Sequence, residues 1–285
     1  MQEFQTLIQA EELTDILRSH SQDIIILDCR YSLSDLHYGL KAYEQGHLPE
    51  AQFISMEKDL AGKPNGKNGR HPLPDSQTLA HTLGKLGVNN QSQVVVYDDN
   101  TAMSPRLWWL IRHLGHNHVA VLNGGLNRWR SLNLPMTTSI PEIKAKRFIA
   151  KIRADDYVDS SYILNELDNN SNLIIDARSP DRFRGENETL DPIGGHIPGA
   201  INHFFMNNLS PLGVFKSSGE LLEIYNKLGA SNPHKKIISQ CGSGVTACHN
   251  LLAMTIAGIK NGVLYPGSWS EWCSDSSRPF IAQSS

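Results

Sequence analysis

Short, continuous apolar runs recur along the chain: Ile24-Ile25-Ile26-Leu27, Val94-Val95-Val96, Val119-Ala120-Val121-Leu122, Leu173-Ile174-Ile175 and the Ile237-Ile238 of Lys236 to Gln240. Runs of this length without alternation suit strands buried on both faces, as in parallel sheets. Between them lie stretches with helical spacing, among them Ala10 to Leu17, Arg106 to Leu110 and Cys248 to Ala253. Strands alternating with helices predict an α/β fold with a mainly parallel sheet.

The pattern occurs twice. Leu173-Ile174-Ile175-Asp176-Ala177-Arg178 answers Ile25-Ile26-Leu27-Asp28-Cys29-Arg30, and Gly195-His196-Ile197-Pro198 answers Gly46-His47-Leu48-Pro49. Farther on, Gly258 answers Gly115 and Trp272 answers Trp129, both 143 positions apart. A repeat this long means two domains of one fold rather than a solenoid. The length of 285 residues agrees with a prior of about 150 per domain. The expected domains are residues 1–143 and 156–285, joined by the mixed segment from Lys144 to Asp155. Arg30, Arg178, His47 and His196 recur in both halves, so they are expected to serve the fold, and the five tryptophans to pack cores.

Composition narrows the class. A net charge of −3, from 26 basic and 29 acidic residues, gives no basic footprint for nucleic acid or an anionic membrane. No apolar run approaches the roughly 18 residues of a membrane span, and Met1-Gln2-Glu3-Phe4 is no basic signal-peptide start, so a cytoplasmic protein is expected. Cys29, Cys241, Cys248 and Cys273 have no metal-ligand spacing and are too few for a disulfide framework, so reduced thiols and no metal are expected.

Cys241 stands out because it ends a strand-like run and opens Cys241-Gly242-Ser243-Gly244-Val245-Thr246-Ala247. The two glycines let the backbone curl so that amides converge, and a helix starting near Val245 would aim its positive end at the same spot. A cradle of this kind favours thiolate over thiol and makes Cys241 a nucleophile. Other chemistries compete for the loop. Gly242 to Ala247 fits G-x-G-x-x-A, but Val263-Leu264-Tyr265-Pro266 offers no carboxylate where a dinucleotide site needs one. A cysteine phosphatase would clamp phosphate with an arginine at the position of Ala247. A buried core cysteine is the plainest alternative.

The loop resembles the active-site loop of the rhodanese superfamily, in its mercaptopyruvate sulfurtransferase branch, and the resemblance covers nearly the whole chain. It implies two tandem rhodanese-like domains, each a mainly parallel sheet flanked by helices. It further implies transfer of sulfane sulfur from 3-mercaptopyruvate through a Cys241 persulfide to cyanide, a small thiol or thioredoxin, with no cofactor. Thiosulfate as donor, and a non-enzymatic sulfur carrier, are the alternatives. The backbone of Gly242, Gly244, Val245 and Thr246 would hold the anion, and Arg182 would clamp the donor's carboxylate. The family's second arginine is missing from Gly185 to Gly194, which is also shorter than the family's loop. His71 and Glu57 resemble an acid–base pair that, with Ser243, would relay a proton to the departing enolate. At the repeat offset Cys241 corresponds to Asp98, so the first copy is expected to be inactive and its Asp98-Asp99-Asn100 loop poor at holding an anion.

Overall fold

The computed structural model describes residues 3–19, 23–167, 169 and 171–282. The chain divides into two compact units. Unit 1 comprises Met1–Gly62, Pro74–Arg153 and Pro211–Val214, and unit 2 comprises Lys63–Leu73, Ala154–Ser210 and Phe215–Ser285. The outer ends of the two expected domains, residues 1–2 and 283–285, lie outside the described residues. No helix among the described residues is long and apolar enough to cross a membrane.

Unit 1 contains β1 (Leu7–Ile8), α1 (Ala10–Ser19), β2 (Ile24–Asp28), α2 (Tyr38–Gln45), β3 (Ala51–Phe53), α3 (Ser76–Lys85), β4 (Gln93–Tyr97), α4 (Ser104–His113), β5 (Val119–Leu122) and α5 (Gly125–Ser131). Its strands run β1-β5-β4-β2-β3, every neighbour parallel. The continuous apolar runs are the central strands, with β4 and β5 buried at every residue, as their lack of alternation predicts.

Unit 2 contains α6 (Ser160–Asn165), β6 (Asn172–Asp176), α7 (Pro180–Arg184), β7 (Ile201–Asn202), a 3₁₀ turn (Phe205–Asn208), α8 (Ser218–Lys227), β8 (Lys236–Gln240), α9 (Ala247–Ile256), β9 (Gly262–Leu264) and α10 (Ser268–Trp272). Its order is β7-β6-β8-β9, again wholly parallel. A single parallel bridge from Tyr157 to Leu264 stands where β1 flanks β5 in unit 1.

The repeat holds at the level of atoms. Asp28 pairs with Tyr97 across the first sheet and Asp176 with Gln240 across the second, so Asp98 and Cys241 follow equivalent strand ends. Arg30 bonds the buried Asp28 at 2.7 Å and the Gly46 carbonyl at 2.8 Å. Arg178 bonds Asp176 and the Gly195 carbonyl, each at 2.7 Å. His47 stacks on Tyr43 and His196 on Phe183, with ring centroids 3.9 and 3.8 Å apart. These recurring residues are framework, as expected of features common to both copies.

Most of the segment from Lys144 to Asp155, which joins the two expected domains, is laid onto unit 1. The Lys146 amide donates to the Gly84 carbonyl, Lys151 to Leu114 and Arg153 to His113, at 2.8, 2.8 and 2.9 Å. Phe148 is buried there, so an apolar anchor and backbone hydrogen bonds fix what composition alone reads as a linker.

Strand order also locates the crevice. From β6 the chain moves to β7 on one side and then to β8 on the other. The carboxyl ends of β6 and β8 therefore open where the order reverses, the usual ligand position in such sheets. Arg178 lies just after one of these ends and Cys241 directly after the other.

Candidate active site

The start of α10 pins Cys241 in place. Its amide donates to Ser268 Oγ at 3.0 Å, and its carbonyl accepts from the Trp269 amide at 3.0 Å. The Gly242 carbonyl accepts from the Ser270 amide at 2.9 Å. Tyr265 to Trp269 thus close under the loop as shape rather than chemistry. Gly244 turns the loop at φ +76°, and a Cβ there would lie 2.4 Å from the Pro266 carbonyl oxygen. The helix begins at Ala247, two residues later than expected, because Val245 and Thr246 complete the turn.

Those extra residues are useful to a ligand. Among the described residues no acceptor takes the amides of Gly242, Ser243, Val245 or Thr246. Gly242, Ser243 and Val245 are buried, and Thr246 is half-buried. Buried amides without partners are uncommon and costly. Here they follow the thiol directly and precede a ten-residue helix whose positive end faces the loop. The arrangement can hold an anion on or beside Cys241.

Three arginines gather at the same place. Arg178 is buried, and its guanidinium lies 4.8 Å from the centre of the Trp269 ring. Burial alone would lower its pKa, but Asp176, Glu188 and Cys241 together raise it above its ordinary value. Arg182 and Arg70 lie over Gly242: a Cβ there would be 2.7 Å from Arg70 Nη2 and 3.5 Å from Arg182 Nη2. Arg70 escapes sequence reasoning because its segment, Lys63–Leu73, belongs to unit 2 although it precedes most of unit 1 in the chain. Its only sequence signal is adjacency to His71.

The arginines are not free. Glu188 accepts from Arg182 Nη2 at 2.9 Å and Nε at 3.1 Å, and lies 3.5 Å from Arg178 Nη1. Asp191 pairs with Arg70 and lies 3.5 Å from Arg182. Burial pushes the Asp191 carboxyl up, against the pull of Arg70 and Arg182. The loop noted in the sequence for its missing arginine thus supplies two carboxylates instead.

The His71 ring Nδ1 is 2.8 Å from Ser243 Oγ, and both residues are buried. Glu57 lies in unit 1, where its carboxylate accepts from the Tyr31 hydroxyl. Cys248 donates to the Gly244 carbonyl at 3.3 Å, so it braces the loop. His249 is buried against Phe215 and Phe205, and burial lowers its pKa to about 3.

Comparison with known proteins identifies the family. The family model for the Rhodanese-like domain matches residues 9–132 and again 159–275. A Pseudomonas aeruginosa protein named "Probable 3-mercaptopyruvate sulfurtransferase" is 40% identical over 276 residues, covering 96% of each chain. The thiosulfate sulfurtransferase of Cricetulus griseus is 32% identical, covering 94% of this chain and 92% of its own. The crystal structure of SseA from Escherichia coli, described as a 3-mercaptopyruvate sulfotransferase, superposes with a TM-score of 0.80 at 32% identity, covering 93% of this chain and 99% of that one. With two matched copies and relatives this similar over almost its whole length, the chain belongs to the rhodanese-like family and is a tandem-domain sulfurtransferase.

Proposed function

We propose that the protein moves sulfur from 3-mercaptopyruvate to a thiophilic acceptor by double displacement at Cys241. The row of buried, unaccepted amides directly after the thiol carries this reading, because a persulfide anion needs donors of that kind. The Cys241 thiolate attacks the donor sulfur. The carbon–sulfur bond breaks with its electron pair going to carbon, and pyruvate leaves as its enolate. The proton of the donor thiol finishes on that carbon, passed through Ser243 and His71, whose hydrogen bond supports the route. Glu57 orients the histidine in this reading, a role that rests on the family resemblance. Arg182 and the amides of Gly242, Gly244, Val245 and Thr246 hold the donor and the negative outer sulfur.

In the second half-reaction an acceptor attacks the outer sulfur, the sulfur–sulfur bond breaks and the thiolate returns. Cyanide, a small thiol or a thioredoxin-like dithiol would serve. Thiosulfate is the second reading, favoured by the two guanidiniums over Gly242, which suit a sulfonate. Specificity constants for both donors, with mass spectrometry of the Cys241 peptide, test the proposal. One added sulfur on that peptide, discharged by cyanide and absent in Cys241→Ser, is expected, with mercaptopyruvate the faster donor. Faster thiosulfate turnover would move the assignment to the second reading, and no added sulfur from either donor would end both.

A further inference from the structure

Glu188 and Asp191 have no part in the chemistry above, yet the side chain of each is only 3% exposed and lies against the arginines nearest the loop. Their partners are the three arginines nearest the loop: Arg182 to both carboxylates, Arg178 to Glu188 and Arg70 to Asp191. With Asp176 on Arg178, the three guanidiniums meet three carboxylates. Even so, the match is incomplete as hydrogen bonding: among the described residues Arg70 Nε and Arg178 Nη1 are buried without a hydrogen-bond acceptor, the latter facing Glu188 at the ion-pair distance of 3.5 Å. The guanidiniums keep donor capacity while their charge is cancelled.

We propose that Glu188 and Asp191 are specificity-determining residues that hold the mouth above Gly242 electrically neutral and so select the less charged sulfur donor. The inference rests on the sulfurtransferase reading of Cys241 and adds to it a reason for the donor preference. A dianion such as thiosulfate gains from a bare basic field twice what a monoanion gains, so cancelling that field costs the dianion more. A monoanionic 2-oxo acid still finds planar donors for its carboxylate, through direction rather than net charge. The same pair explains how this site does without a second arginine in its 185–194 loop: Arg70 supplies the cation, and Asp191 balances it.

Alkylation of Cys241 reads the field without depending on any donor. The rate with iodoacetate, an anion, is divided by the rate with neutral iodoacetamide, each followed on the Cys241 peptide by mass spectrometry. In the unaltered protein the ratio should change less than about twofold between low and high salt, since a neutral mouth leaves little to screen. A steep fall with salt would reveal an uncompensated basic field and overturn the proposal. Glu188→Gln and Asp191→Asn should each raise the ratio about fivefold at low salt, and should raise thiosulfate turnover relative to mercaptopyruvate by at least as much. Ratios unchanged in both folded variants, or an alkylation gain with no gain for thiosulfate, would also overturn it. Should the unaltered protein use neither donor, the functional reading fails, while the salt dependence still decides the charge claim.

Discussion

Gly244 and Gly258 bracket one helix, and replacing each by alanine separates backbone strain from collision. Both have positive φ, +76° before α9 and +80° after it. Alanine pays roughly 1–2 kcal/mol in that conformation at either place. At Gly258 a new Cβ meets nothing within 4 Å, so the strain is the whole cost. At Gly244 it meets the oxygen, Cα and carbonyl carbon of Pro266 at 2.4, 2.9 and 3.0 Å. Those are backbone atoms of the turn whose Ser268 and Trp269 pin Cys241, so relief must move the loop or its support. Overpacking of this kind adds about 1–3 kcal/mol. Gly244→Ala should therefore lose about 2–5 kcal/mol in urea unfolding, against about 1–2 for Gly258→Ala. Its sulfur-transfer rate should also fall on the order of a hundredfold, the usual consequence of misplacing an anion-holding amide. Gly258→Ala should keep its rate. If the two variants unfold within about 0.5 kcal/mol of each other and Gly244→Ala stays active, the tight turn is not what shapes the site.

Ser243→Ala should slow mercaptopyruvate turnover about a hundredfold while leaving persulfide formation from thiosulfate much less affected, because only the first donor needs a proton at carbon; equal losses with both donors would remove the relay. His249 is held neutral by burial, with its pKa near 3 against about 6.5 in the unfolded chain. The unfolded state therefore takes the proton first, and stability is lost as pH falls below about 6.5, by up to about 1.4 kcal/mol per unit. His249→Phe, which keeps a ring against Phe215, should flatten that acid limb in urea unfolding; an unchanged slope would refute the assignment. Asp98 has the opposite sign. Burial raises its pKa to about 6, so the native state keeps a proton that the unfolded chain has released above about 4. Stability should decline as pH rises from about 4 to 6, and Asp98→Asn should lack that decline.

The sheets were legible because a parallel strand covered on both faces has no polar alternate positions, and Ile24 to Leu27 or Val94 to Val96 can satisfy few other environments. Cys241 was legible because a thiol, two glycines and a helix in succession describe one geometry. What stayed hidden depended on distant pieces of chain. Arg70 reaches Gly242 only because residues 63–73 fold with unit 2, and no periodicity signals that. Glu188 and Asp191 lie in the loop noted for its missing arginine, and their side chains are buried against arginines from other parts of the chain. Phe148 carries no such signal either, since one aromatic among lysines and arginines gives no pattern.

The two strand ends also bear on the expectation that the first copy is inactive although it shares the fold. A parallel sheet that reverses its order opens a crevice, and the turn after the central strand presents amides to it whether or not a thiol stands there. In unit 1 Asp98 stands at that turn, and burial raises its pKa to about 6, so the turn disfavours the charged form. One Asp98 oxygen accepts from the Met103 amide at 2.6 Å and the other from Ser104 Oγ at 2.8 Å, with the Thr101 backbone as a further donor. That carboxylate takes up the Met103 amide, the Ser104 hydroxyl and the Thr101 backbone from within the turn. In unit 2 a thiol occupies the equivalent place, and among the described residues the amides of Gly242, Ser243, Val245 and Thr246 go without acceptors. The two turns therefore differ both in the side chain at the strand end and in the residues that follow it. A cysteine at position 98 alone should not create activity, because the unit 1 turn leads through Thr101 and Ser104 where the unit 2 loop has Gly242 and Gly244. If Asp98→Cys in a Cys241→Ser background nonetheless acquired a cyanide-labile persulfide, the sequence of the turn would matter less than the sheet that presents it.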